Sequence, residues 1–549
     1  MSTSDLRTEG ADAEPGAPDA TSFVRLQRGG GVVRRIVERD RAAVDGLAGW
    51  WARTLPVFAW GLCGSFAAFG IGLFTPSLSV DEEVYTAAGG VLGAWIGQDR
   101  WAMFLISMLI PLPPLPFITM LIGLIANALA ASLAVGLLGG ESRPRNVLAA
   151  LFATCCPTLC FVLQFDTSQF GFLIGLLSAT AAVRCGQCPN ASGKLAGWAL
   201  LVFAVSVYQS LATVALVLLL GSILNRCVLE KDHRAGEIAR VLIAAGVWLG
   251  TALIAHKLIA IGLRRAMWPG PGYVLVDSVY NGRFVERYSL THAVDQVRRT
   301  LLGGAWYMGW QTTALLVACL VVILARLIGM KKPWAVRIIG VLMLALMLMA
   351  PFSLSLMTGA PWPTRTLLGV PFLMLAVTLI ATGVRARPWM WVLTPLSCLC
   401  ILHFVVSANR LMYADFLTWQ ADRALAVHVQ FRVDEIRAAR SPRGLPKARL
   451  AVIGVPSRSA TPVRFGEETI GASLFEWGDG NPTRVAHVLH FVGAQALAPT
   501  SSREDYRRAV ALAAEMPDWP ADGSVQLTED GLAVVRFGEP TALHLHLAR

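Results

Sequence analysis

Three carboxylates stand side by side at Asp81-Glu82-Glu83, just past the first long apolar run of the chain. Carboxylates at a membrane edge are costly to desolvate, and they persist where they pair with cations or do chemistry. One of them can take a proton from an incoming hydroxyl as a general base. Arg100, Trp101, Asp166, Tyr208, Gln209, Arg264, Arg265 and Arg365 recur at the ends of other apolar runs, on the same side if the runs alternate across a bilayer. An arginine fork can hold a phosphate bidentately. Carboxylates and arginines at one depth therefore suit transfer to a hydroxyl from a phosphate leaving group stabilised by fixed positive charge.

Each group also has a plainer reading. Asp81 and Asp166 fit helix N-caps. Tyr208 and Gln209 fit polar glue between helices. Arg365 and the Arg100-Trp101 pair fit interfacial anchors, and Arg264-Arg265 fits headgroup binding. Cys185-Gly-Gln-Cys188 is a lone CxxC, without the further ligands of a zinc site. The methionine-rich run from Met343 to Met357 reads as helix packing, and His403 as a satisfied helix histidine. Nothing has the spacing of a metal motif, a Walker loop or a dinucleotide-binding glycine fingerprint. A divalent cation held by the carboxylates is compatible with the sequence and not required by it.

The elements that must position these residues are membrane helices. The chain has 549 residues, 55% hydrophobic and 15% charged, with mean hydropathy +0.56; soluble domains carry about 25% charged residues. Runs of ~18 or more apolar residues can each cross a ~30 Å bilayer core. The net charge of +11 reflects arginines in short loops, which set topology, and does not point to nucleic acid. The first apolar run begins near Leu55, too far in for a usual signal peptide of ~15–30 residues.

The spacing predicts about eleven crossings, in the order 55–75, a second within 102–139, 147–163, 170–184, two short helices over 195–225, 239–262, 305–326, 334–357, 366–384 and 388–406. Pro-Leu-Pro-Pro-Leu-Pro at 111–116 must interrupt the second. The trio Tyr208-Gln209-Ser210 divides 195–225. An outer loop over about 263–304 contains an amphipathic segment near 290–302. Arg or Lys marks every short loop assigned inside, which places the acids and residues 407–549 outside.

Three regions follow. Residues 1–54 form a cytoplasmic segment, compositionally disordered at first, then basic and amphipathic from Arg25 to Arg53, with seven arginines against three acids. Residues 55–406 form the polytopic α-helical membrane domain. Residues 407–549 form a small extracytoplasmic α/β domain, with a helix over Trp419–Arg440, a buried strand at Leu450–Val455, a helix over Arg503–Met516 and a hairpin over Val525–Val535.

Five segments, taken in order, resemble the bacterial O-antigen-modifying, serotype-converting glucosyltransferases. They are Ser79-Val-Asp81-Glu82-Glu83, Ile96-Gly-Gln98-Asp-Arg100-Trp101, Leu163-Gln-Phe-Asp166, Val207-Tyr208-Gln209-Ser210 and Pro363-Thr-Arg365-Thr-Leu367. The resemblance covers roughly 55–440, and departs from the family pattern in the Asp81-Glu82-Glu83 triplet and at Gln98-Asp99 before Arg100. It implies a glycosyltransferase of the GT-C class in the bacterial inner membrane, working at the extracytoplasmic face. The implied donor is a polyprenyl-phosphate-linked sugar, glucose in this family, and the acceptor is an O-antigen or other surface glycan. It implies Asp81 as catalytic base, with Glu82 as partner or substitute. Glu83, Arg100, Trp101, Asp166, Tyr208, Gln209, Arg264, Arg265 and Arg365 are the candidate substrate-binding residues. Rival readings are a flippase for lipid-linked sugars, expected to carry midplane charges and repeats, and an O-antigen polymerase or ligase.

Overall fold

The computed structural model describes residues 54–80, 82, 92–109, 116–139, 142–229, 235–267, 290–360, 362–384, 387–440, 448–456, 468–493, 497–500 and 502–549. Asp81, Glu83, the N-terminal segment 1–53, residues 111–115 of the proline run, and 268–289 of the long loop lie outside the described residues. The chain divides into a short unit, Met1–Leu55, and a large one, Pro56–Arg549, which holds every site residue discussed below.

Fourteen helices precede the sheet among the described residues. They are α1 (Thr54–Leu73), α2 (Leu92–Gly97), α3 (Trp101–Leu109), α4 (Pro116–Leu138), α5 (Arg143–Leu163), α6 (Gln169–Gly186) and α7 (Ala191–Val207). Then follow α8 (Leu211–Leu229), α9 (Ala235–Met267), α10 (Leu290–Leu301), α11 (Gly309–Gly329), α12 (Trp334–Thr358), α13 (Gly369–Gly383) and α14 (Arg387–Arg440). Nine of these are long and apolar enough to cross a membrane, the make-up of a polytopic membrane protein. Two more apolar helices are shorter, α7 with 17 residues and α13 with 15. At 1.5 Å per residue α13 spans only ~22 Å. Every residue from Gly369 to Thr382 is nevertheless buried, so α13 is shielded by its neighbours rather than by lipid. In contrast α9 buries only Ile238, Ala252, His256 and Ala260 of its 33 residues. An apolar helix with so little burial needs an apolar solvent around it.

The breaks follow local chemistry. Cys156 is extended (φ −63°, ψ 124°) because it precedes Pro157, and α5 resumes after a 3₁₀ turn. Tyr208 is extended (φ −157°, ψ 123°) between α7 and α8. The polar trio thus separates two helices where the sequence places the division.

The helix α14 is continuous across the domain boundary expected at 406–407 and runs for 54 residues. Its first part, with Leu393, Cys400, Phe404, Ala408 and Leu411, belongs to the membrane core. Ala426, Val429 and Val433 instead pack into the core of the C-terminal sheet. That sheet comprises β1 (Ala448–Ile453), β2 (Leu497–Pro499), β3 (Val525–Leu527) and β4 (Leu532–Arg536), in the order β2-β1-β4-β3. The central strand β1 pairs in parallel with β2 and β4, and β3–β4 is the expected hairpin, turned at Gly531 with φ +83°. Leu450 and Val452 face one core with the end of α14, while Ala451 and Ile453 face another. A strand buried on both faces reads as a continuous apolar run, as 450–453 does. The helices α15 (Pro482–Phe491), α16 (Arg503–Ala513) and α17 (Ala542–Leu547) complete the unit.

Candidate functional site

The polar residues assemble around the N-terminal end of α6. Glu82 is 1% exposed. Its Oε1 accepts the Thr167 backbone N–H at 2.7 Å. Its Oε2 accepts the Ser79 N–H at 3.2 Å and the Ser79 hydroxyl at 3.1 Å. This acid is therefore tied to the link between α5 and α6, far along the chain. Burial holds its carboxyl well above the usual range, and the charge of Asp166 adds to that.

Asp166 lies in the same link. Ser168, not Asp166, takes the N-cap position of α6, so the capping reading of Asp166 does not apply. Gln169 donates from Nε2 to Asp166 Oδ1 at 2.9 Å. Burial, and next the charge of Asp415, push the Asp166 carboxyl up to about 7. Asp415 comes from α14, where helical spacing hid it in the sequence. It accepts the Ser77 hydroxyl at 2.5 Å and the Gly471 N–H at 3.1 Å.

Arg365 lies in the turn between α12 and α13, its guanidinium carbon 5.3 Å from the Phe165 ring centre. Phe165 directly precedes Asp166, so a cation and a carboxylate flank one link. The adjacent Thr364 is held by Glu468, whose carboxylate accepts the Thr364 N–H at 2.9 and 3.2 Å and its hydroxyl at 2.7 Å. Glu468 begins a stretch of the C-terminal unit that touches the site repeatedly. Thr469 Oγ1 accepts from Gln164 Nε2 at 2.8 Å, and the Gly471 carbonyl accepts the Thr418 hydroxyl at 3.2 Å. Asp422 accepts the Ser473 hydroxyl at 2.7 Å and the Leu474 N–H at 2.6 Å.

A second cluster adjoins the first through α6. Phe172 packs against Tyr208 with ring centres 4.8 Å apart. The guanidinium carbon of Arg100 stands 4.6 Å from the Tyr208 ring centre and 5.6 Å from that of Trp95, a cation–π contact with each. Gln209 donates to the Gln98 carbonyl at 2.9 Å. The Trp101 indole N–H is buried with no acceptor among the described residues.

Arg264 is drawn to Asp99, 2.8 Å away, and Asp99 also binds Lys257 at 2.6 Å. Asp99 has φ +60°, a left-handed backbone that aspartate tolerates better than most residues. Arg265 stays exposed at the end of α9.

The structure therefore gathers Glu82, Asp166, Tyr208, Gln209, Arg100, Trp101 and Arg365 at one end of the bundle, and commits Arg264 to a carboxylate beside them. Sequence reasoning named no role for Asp99, Lys257, Gln164, Asp415 or Glu468. Of these, Asp99 beside Arg100 and Gln164 in the Leu163–Asp166 segment carried a signal. Among the described residues no group of three or more His, Cys, Asp or Glu could hold a metal ion.

The family model described as Glucosyl transferase GtrII matches residues 70–382, more than half of the chain. That span includes the whole of both clusters except Asp415, Thr418, Asp422 and the stretch from Glu468. Neither a curated protein nor a solved structure matches the chain.

Proposed function

Since the chain belongs to the glucosyl transferase GtrII family and is thus a glycosyltransferase, we propose that it moves glucose from a polyprenyl-phosphate carrier to a surface glycan such as O-antigen, at the extracytoplasmic face of a bacterial inner membrane. Support comes chiefly from one juxtaposition. Arg365 and Asp166 flank the same short link, and the buried Glu82 is fastened to that link. A cation suited to phosphate and carboxyl groups able to hydrogen-bond a sugar then border a single volume.

In this reading a hydroxyl of the acceptor attacks the anomeric carbon of the donor sugar. Asp81 takes the hydroxyl proton as the new glycosidic bond forms. The bond from the anomeric carbon to the phosphate oxygen breaks, and the polyprenyl phosphate departs with the electron pair. Arg365 balances the charge that develops on the phosphate. Glu82, anchored by Ser79 and Thr167, or Glu83 orients the acceptor or tunes Asp81. Asp166, Gln209 and Trp101 hydrogen-bond sugar hydroxyls, and Arg100 is held by the Tyr208 ring for the donor. Activation is already stored in the lipid phosphate, so no nucleotide site is required.

The test is transfer of labelled glucose from polyprenyl-phosphate glucose to surface glycan in membranes holding the wild type or Asp81→Asn at equal amounts. Transfer by the wild type and none by the variant is expected. Undiminished transfer by Asp81→Asn would remove Asp81 as the base. No transfer from this donor by the wild type would remove the donor assignment.

A further inference from the structure

At the far end of α6 from Asp166 the helices part around a cavity of about 650 Å³. An 18-residue helix separates the two places by ~27 Å. The cavity forms because α9 packs chiefly on α7 and only lightly on α8. Its walls differ in character. One side is apolar, with Val241, Val247 and Trp248 of α9. Val241 and Val247 remain 37% and 60% exposed, so the cavity opens at the apolar surface of the bundle. The other side carries Lys194 from the first turn of α7 and Arg226 from the last turn of α8. Among the described residues neither side chain makes an ion pair. Gln187 donates to Ser222 Oγ at 3.0 Å across the polar wall, and the Trp248 indole donates to the Lys194 carbonyl at 3.4 Å. No acidic residue lines this cavity among the described residues. Glu237 borders a smaller adjoining pocket that Arg226 also lines, and it has a further interaction of its own, so among the described residues Lys194 is the cation farther from any acid.

We propose that this cavity is a binding site for an anionic glycerophospholipid. Two cations from different helices meet the headgroup phosphate, and the α9 wall takes the upper part of the acyl chains. The volume falls in the range of ligand sites, ~300–1,000 Å³, and far exceeds what a free phosphate needs. Charge and shape together select the occupant. A zwitterionic lipid would bring its own cation toward Lys194 and Arg226, whereas an anionic lipid brings none. Basic pockets between membrane helices recognise anionic headgroups by this electrostatic route. The site is remote from the glucosyl-transfer cluster and does not depend on that assignment.

The experiment uses the full-length protein, exchanged in mixed micelles against equal amounts of phosphatidylglycerol and phosphatidylcholine. The lipid retained per protein is then counted by mass spectrometry. The wild type is expected to retain phosphatidylglycerol preferentially. Lys194→Ala with Arg226→Ala should weaken that preference roughly 30-fold, from about a factor of five per cation near a headgroup. Ala245→Phe, which fills the apolar side without altering charge, should also lower retention. Arg326→Ala with Lys331→Ala removes the same charge from exposed positions elsewhere and should change nothing. Unchanged retention by the cavity variants would overturn the site. An equal loss in the Arg326/Lys331 control would overturn it too, by showing a general surface-charge effect.

Discussion

Glu468 grips Thr364 across 104 residues of chain, its carboxylate accepting both the backbone N–H and the hydroxyl of that threonine within 3.2 Å. Thr364 directly precedes Arg365, so a residue of the C-terminal unit fixes the turn that aims the candidate phosphate-binding arginine. Tyr307 stands behind the same hydroxyl at 3.3 Å. Glu468 itself has φ +54°, a conformation that costs roughly 1–2 kcal/mol for a residue other than glycine and must be offset by these contacts. Glu468 lies beyond the family-matched span. The C-terminal unit is thus built into the site and is not an appendage to it.

Glu468→Ala should leave the protein inserted and folded yet impair transfer. Hydrogen bonds to a charged group contribute about 1.5–3 kcal/mol each, so a fall in kcat/KM of roughly 10- to 100-fold is expected. Glu468→Gln, which keeps one acceptor, should fall between that variant and the wild type. Equal activity of all three, at matched protein amounts, would show that the grip does not position Arg365.

Asp166 gives a pH signature. Its carboxyl rises from 3.8 to about 7 on folding, so the folded state binds the proton more tightly than the unfolded chain. Ionisation then costs stability, a cost absent below about pH 4 and complete above about pH 7. Asp166→Asn should gain in Tm relative to wild type as pH rises across that window, with no further gain above it. A Tm difference independent of pH between 5 and 8 would contradict the buried, proton-holding environment.

Tyr208 separates a ring from a hydroxyl. If its role is the cation–π support of Arg100, Tyr208→Phe keeps activity while Tyr208→Leu loses about 0.5–2 kcal/mol, roughly 2- to 30-fold in kcat/KM. If Tyr208→Phe is as impaired as Tyr208→Leu, the hydroxyl contacts substrate instead.

Asp99 combines two demands that substitutions can divide. Asp99→Asn retains a side chain tolerant of the left-handed backbone but gives up the charge that binds Lys257 and Arg264. Asp99→Ala gives up both. Thermal stability should fall in the order wild type, Asp99→Asn, Asp99→Ala, the second step being about 1 kcal/mol of backbone strain. Equal Tm for the two variants would remove the strain argument.

Much of this architecture was legible in the chain. Apolar run length named the helices, since a bilayer demands a minimum span and excludes unpaired backbone. The trio at Tyr208 marked a break, a continuous apolar run gave the strand at Leu450, and the turn at Glu529-Asp-Gly531 gave the hairpin. The five ordered segments that carried the resemblance all lie within the matched span. Local pattern sufficed there because each feature depends on neighbours in sequence. Other features could be decided only by the tertiary structure. Asp415 and Glu468 look like ordinary charges on a helix and in a loop, and become site residues only when α14 and the C-terminal unit fold back on the α5–α6 link. Arg264 reads as a free basic residue until Asp99 is brought within 2.8 Å. Hydrogen bonds and ion pairs act over a few ångströms of space, not over sequence separation, so partners more than a hundred residues apart leave no local trace.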